Sequence, residues 1–109
     1  MTKTLYRPVS KKELDLILAS NKFPPRLPEQ PIFYPVTNLE YAIEITEKWN
    51  KPAYGTSFVV AFDVDAQYIN QFEVQNVGNL MHDELWIPAE QLDEFNSNII
   101  GQIRVVYTT

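Results

Sequence analysis

Apolar and polar positions along the chain fall into short runs broken by proline and glycine, and the runs switch between a period of two and a period near 3.6. Thr4-Leu5-Tyr6-Arg7-Pro8-Val9 mixes β-branched, aromatic and aliphatic residues and predicts a first strand, which ends or lies at a sheet edge because Pro8 lacks a ladder donor. Ser10-Lys11-Lys12-Glu13 has the form of a capping box, and Leu14, Ile17 and Leu18 follow at helical spacing, so a helix is expected over Lys11–Ser20. Residues 21–31 carry Pro24, Pro25, Pro28 and Pro31. Each fixes φ and pushes its predecessor out of the helical region, giving a stiff irregular loop that serves either as a cleft wall or as a plain connector.

Ile32-Phe33-Tyr34-Pro35-Val36 reads as a second strand, and Thr37 begins a second helix with Glu40 placed to complete a capping box. Ala42, Ile45 and Trp49 mark its buried stripe, and Pro52 stops it near Asn50, with Gly55 opening the next turn. The run 56–64, through Phe58-Val59-Val60-Ala61-Phe62, is apolar on both faces and predicts the covered central strand of a sheet. A helical turn within 65–71, a strand over 72–77 and a turn at Gly78-Asn79 follow. The run 82–87 predicts a strand with Leu85 and Ile87 on one face and His82, Glu84 and Trp86 on the other. Pro88 then takes the first helical position of a short helix with Leu92 and Phe95, and Gly101 resets the chain for a last strand over 102–107. The order β-α-β-α-β-β-β-α-β makes this an α+β chain.

At 109 residues the chain has room for one domain, 1–109, that removes roughly 65% of its unfolded surface from water. A hydrophobic fraction of 45% and an aromatic fraction of 13% exclude a disordered tail, and no apolar run is long enough to span a bilayer as a helix. No cysteine is present, which excludes disulfides and thiolate metal sites; with no apolar leader after Met1, a cytoplasmic setting is expected and a membrane partner is not. A net charge of -5 with only 9 Lys and Arg argues against a nucleic-acid surface. Six of those nine lie in the first 26 residues, leaving room for a local anion site there; Lys11 and Lys12 read more simply as solvated first-turn residues.

No phosphate loop and no paired histidines at metal spacing occur, and one histidine builds no metal site alone, so no metal is expected. The candidate chemistry sits in His82-Asp83-Glu84, either acid-base groups or a solvated turn. Alternation turns Asp83 away and leaves Glu84 as the candidate catalytic carboxylate.

Leu5-Tyr6-Arg7 on a first strand, Tyr34-Pro35-Val36-Thr37-Asn38 where a strand turns into a helix, and the late Glu84-Leu85-Trp86-Ile87-Pro88 resemble the arginine, serine-threonine and glutamate strands of the ADP-ribosyltransferase fold. They also resemble small bacterial proteins that carry an ADP-ribosylation label. The resemblance implies a small split β-sheet with two to three short helices. It also implies NAD as substrate, held by Arg7 and Thr37, with Glu84 stabilising the oxocarbenium-like transition state at the nicotinamide ribose. Tyr6 and Tyr34 would line the nicotinamide pocket, and His82 would stand where arginine-modifying relatives carry a second acid, which argues against protein arginine as the acceptor. The reaction so implied is transfer to an acceptor, such as a protein, or NAD cleavage. The reading from another class is a non-catalytic module that binds a small ligand or a protein on the same fold. A purely structural domain would instead expose an apolar patch of roughly several hundred Å².

Overall fold

The apolar run expected at the heart of the sheet is its middle strand. In the structure, a computed structural model that describes residues 1–26, 31–78 and 82–109, β3 (Ser57–Asp65) lies between β1 (Thr2–Ser10) and β7 (Ile99–Thr108), antiparallel to both. Its side chains alternate between two cores. Val60, Phe62 and Val64 meet Leu5, Val9, Phe23, Phe33 and Phe95 on one side, and Val59 meets Val36, Tyr41 and Ala42 on the other. The larger core is knitted by aromatic rings: Phe23 lies 4.8 Å from Phe33 and 4.7 Å from Phe62, and Phe33 lies 5.3 Å from Phe95, centroid to centroid. Tilted and edge-on pairs of this kind add about 1 kcal/mol each beyond the area they bury.

The sheet is split around Val36. This residue exchanges both backbone hydrogen bonds with Tyr6, at 2.8 and 3.0 Å, and bridges Glu84 on its other side. Val36 thereby joins β1 to a small ribbon of β5 (Asp83–Leu85) and β4 (Val74–Asn76). β2 (Ile32–Phe33) pairs instead with β6 (Ile87–Pro88). The molecule is an α+β fold.

Local chemistry explains where elements start and stop. Helix α1 (Lys11–Ser20) begins where expected, with Ser10 Oγ accepting from the Glu13 N–H at 3.3 Å. Leu14 and Ile17 are buried, but Leu18 is 61% exposed and lies outside the core stripe. Asn38, not Thr37, caps α2 (Leu39–Ile45), because Thr37 is still held in the sheet by its N–H to the Asp83 carbonyl while Asn38 Oδ1 accepts from Tyr41 N–H. The helical path does not stop near Asn50. It widens into a π turn (Thr46–Asn50), in which Lys51 N–H reaches back to the Thr46 carbonyl, and continues as α3 (Lys51–Tyr54). Pro52 supplies no N–H and crowds the carbonyl four residues back, and the widened turn accommodates it without ending the helix. Trp49, inside the π turn, faces out at 69% exposure and does not complete the buried stripe, whereas Thr46 at the start of the turn is buried.

The short turn after β3 is α4 (Ala66–Ile69), and the strand expected over 72–77 shrinks to β4. The run 82–87 keeps its alternation, with Leu85 and Ile87 buried, but divides at Trp86 because its halves pair with different partners. Pro88 ends β6, and the short helix begins after it as a 3-10 turn (Ala89–Gln91) leading into α5 (Leu92–Ser97). β7 starts before Gly101, which takes φ 79° inside the strand where the pairing with β3 slips. Of the stiff loop and the Gly78-Asn79 turn, Pro28 and Asn79 lie outside the described residues. Among the described residues no helix is long and apolar enough to cross a membrane.

Candidate functional site

Pro8 decides where the site opens. Tyr6 directs its backbone N–H toward Val36, so Pro8, two residues on, directs its donorless nitrogen to the same side. Beyond the Tyr6–Val36 bridge no further strand pairs along that side of β1 among the described residues. A cleft of about 770 Å³ lies there, within the usual size of a small-molecule site. Arg7, Glu13 and Arg26 line it together with Tyr34, Glu84 and Trp86, and Tyr54 and Asn50 border it from the far end of the helical path.

Arg7 is fixed from two directions. Its Nε and Nη2 donate to Glu13 Oε2 and Oε1 at 2.7 and 3.2 Å, and its guanidinium carbon stands 4.7 Å from the Phe33 ring centroid. A capping box would turn Glu13 back to its own helix cap, but its carboxylate is spent on this pair. Burial, reinforced by the neighbouring Arg7 charge, lowers the pKa of Arg26, while Glu13 and Tyr34 act the other way. Two guanidiniums thus share one wall of the cleft.

Glu84 is held at both oxygens. Trp86 Nε1 donates to Oε1 and the Tyr41 hydroxyl to Oε2, each at 2.8 Å. The first bond follows from strand alternation, which sets Glu84 and Trp86 on one face; the second comes across from α2. Burial, then the bond to Glu84, pushes the Tyr41 hydroxyl pKa upward, because an ionised phenol would be both desolvated and opposed by the carboxylate. Tyr34 and Trp86 meet edge to face at 6.5 Å, both partly exposed at the cleft. An aromatic rim beside a fixed carboxylate can bind a planar cationic ring, and the guanidinium wall can bind phosphate oxygens.

The structure therefore brings Arg7, Tyr34 and Glu84 to one cleft and places the other three candidates elsewhere. Tyr6 packs against the core of Val36, Tyr41, Ala42 and Val59. Thr37 directs its hydroxyl to the Asp83 carbonyl at 3.5 Å and does not line the cleft. His82 lines a separate pocket of about 250 Å³ with Tyr41, Glu44 and Lys48. There His82 Nε2 meets Glu44 Oε2 at 2.6 Å, and its ring stacks on Tyr41 at 4.2 Å and 14°. Lys48 and then His82 lower the Glu44 carboxyl pKa. Asp83 points away, accepting from Asn76 Nδ2 at 2.9 Å.

Sequence reasoning passed over Arg26, Glu13 and Tyr41. Arg26 is visible as one of the clustered N-terminal cations, and Glu13 as a cap residue; nothing local in the sequence ties Tyr41 to Glu84, 43 residues on. Among the described residues no three histidine, aspartate or glutamate side chains gather as metal ligands. Compared with known proteins, the chain matches no family model, no curated protein and no solved structure.

Proposed function

We propose that the cleft binds NAD as a substrate and that Glu84 acts at the nicotinamide ribose. The observation that carries this reading is that Arg7 and Glu84 line one cleft, the two residues to which the resemblance to ADP-ribosyltransferases gives the holding of NAD and the contact with its nicotinamide ribose. The electrostatics favour a dipolar ligand of this kind: the guanidinium wall of Arg7 and Arg26 suits a diphosphate, and the carboxylate between Trp86 and Tyr41 suits a nicotinamide ring that carries positive charge. In the reaction, the bond between the ribose anomeric carbon and the nicotinamide nitrogen breaks, and its electron pair leaves with neutral nicotinamide. The oxocarbenium-like ribose is then attacked by water or by an acceptor, which releases a proton. A carboxylate already fixed at both oxygens stabilises that developing charge without reorganising. The acceptor is either water or a protein, and the reading carries a cytoplasmic setting with it.

The second reading, a non-catalytic binding module, is favoured by two observations: Arg7 is already engaged by Glu13, and Thr37 and His82 lie outside the cleft. Nicotinamide release and thermal stabilisation, both measured with millimolar NAD, separate the two. Release that Glu84→Gln abolishes supports the enzyme, and stabilisation without release supports the module. The absence of both responses would rule NAD out as the ligand of the cleft.

A further inference from the structure

We propose that Tyr41 is a positioning residue for Glu84, and that His82, stacked on the Tyr41 ring and anchored by Glu44, couples its own protonation to the Glu84 carboxylate. The reading of Glu84 as the acting carboxylate underlies the word positioning, but the coupling itself stands on contacts within the protein.

Tyr41 is largely buried, at 8% exposure, and its hydroxyl donates to Glu84 Oε2 at 2.8 Å. With Trp86 Nε1 on Oε1, the carboxylate plane is fixed against the cleft. Removing either donor frees one oxygen to rotate.

The other face of Tyr41 belongs to His82. The rings are nearly parallel, 14° apart with centroids 4.2 Å apart, and Glu44 holds the imidazole Nε2 at 2.6 Å. Glu44 also accepts from Lys48 Nζ at 2.7 Å, and these two partners favour its ionised form. An ionised Glu44 accepts from Nε2–H, so it is a second proton, on Nδ1, that makes the ring a cation. Once that proton is on, a cation lies against the phenol face, attracted by the ring's quadrupole. It draws electron density from the ring and makes the Tyr41 hydroxyl a stronger donor to Glu84. When the proton leaves, that bond weakens. Among the described residues, the titratable and charged groups around the imidazole are Glu44, Lys48 and Tyr41, which line its pocket, and Glu84 beyond Tyr41; Asp83 is turned away to Asn76.

The test tracks the Glu84 side-chain carboxyl carbon by NMR across pH, assigned by its loss in Glu84→Gln, beside the His82 ring signals and without any ligand. The expected result is a step in the Glu84 signal at the pH where the His82 signals move, absent in both Tyr41→Phe and His82→Gln, with melting temperatures of the two variants showing that each is folded. A Glu84 signal with no such step, or a step that survives Tyr41→Phe, overturns the proposal. Because no NAD is present, a wild-type protein that releases no nicotinamide would sink the function proposed above and leave this coupling to be decided by its own measurement.

Discussion

Arg7 and Glu13 form a two-point ion pair on the wall of the cleft, with side chains only 11% and 21% exposed. The pair ties the first strand to the first turn of α1, and it also occupies the guanidinium that an anionic ligand would use. Glu13→Gln should therefore act in two directions. Stability falls by about 2 kcal/mol, because a partly buried charge loses its partner, and ADP-ribose binds about fivefold tighter, the equivalent of roughly 1 kcal/mol for one competing charge-assisted bond removed. Arg7→Lys lowers both quantities, since a point charge neither spans two oxygens nor lies flat over Phe33. Thermal melts and calorimetry with ADP-ribose give both readings. A Glu13→Gln variant that loses affinity along with stability would show that the pair orders the site and does not compete for it.

Asn21 fills the bulge of β7. Its Nδ2 donates to the Gly101 carbonyl at 3.0 Å, its Oδ1 accepts from Ile103 N–H at 2.8 Å, and its own backbone stands at φ 55° beyond the end of α1. One residue thus terminates a helix and satisfies the strand groups that the bulge leaves unpaired. Asn21→Gly keeps the left-handed backbone and loses two hydrogen bonds, about 2 kcal/mol in all. Asn21→Ala loses the same bonds and adds a further cost of about 1 kcal/mol for the left-handed conformation. Chemical denaturation orders the three proteins as wild type, glycine variant, alanine variant. An alanine variant as stable as the glycine variant would mean that the helix end relaxes out of the left-handed region.

What the sequence made legible is what local chemistry decides. Ser10 and Glu13 mark the start of α1, and Phe58 to Phe62 mark the middle strand, because capping and two-sided burial leave their pattern in neighbouring residues. The misreadings fall where the answer lies far along the chain. Thr37 and Asn38 are equally good caps by composition, and only the Thr37 bond to Asp83 chooses between them. Pro52 reads as a stop unless the π turn before it is known, and Trp86 splits a strand only because β2 and β4 claim its two sides. The same limit governs the site: the alternation that pairs Glu84 with Trp86 is local, whereas the bond from Tyr41 exists only because Val36 holds α2 and β5 side by side.

The acid limb of stability should carry the signature of Asp63. The Thr4 hydroxyl at 2.6 Å, and after it Arg104, lower the Asp63 carboxyl pKa. A carboxyl lowered in the folded state contributes stability that is fully present above its unfolded pKa and is lost as pH falls through the folded one. The melting temperature should accordingly decline below the ordinary carboxylate range, and Glu44 adds to the same limb because its pKa is lowered too. Thr4→Val removes the main cause for Asp63 and flattens part of that decline while lowering the plateau near neutral pH. A Thr4→Val profile parallel to the wild type at every pH would show that the hydroxyl does not favour the charged form.

Trp86 and Thr37 give opposite expectations for turnover. Trp86 reaches Glu84 Oε1 with its indole N–H, so Trp86→Phe keeps a ring at the cleft but frees that oxygen. If Glu84 acts on the nicotinamide ribose as proposed, kcat for nicotinamide release falls about tenfold, the equivalent of roughly 1.4 kcal/mol in the barrier, with a smaller change in KM because the aromatic surface remains. Thr37 lies outside the cleft with its hydroxyl turned to the Asp83 carbonyl, so Thr37→Val changes kcat and KM little, although the resemblance to ADP-ribosyltransferases assigns that position to the ligand. The two variants assayed side by side with NAD make the geometry answerable. A large loss in Thr37→Val with none in Trp86→Phe would mean that the reaction takes place in a cleft other than the one lined by Arg7 and Glu84.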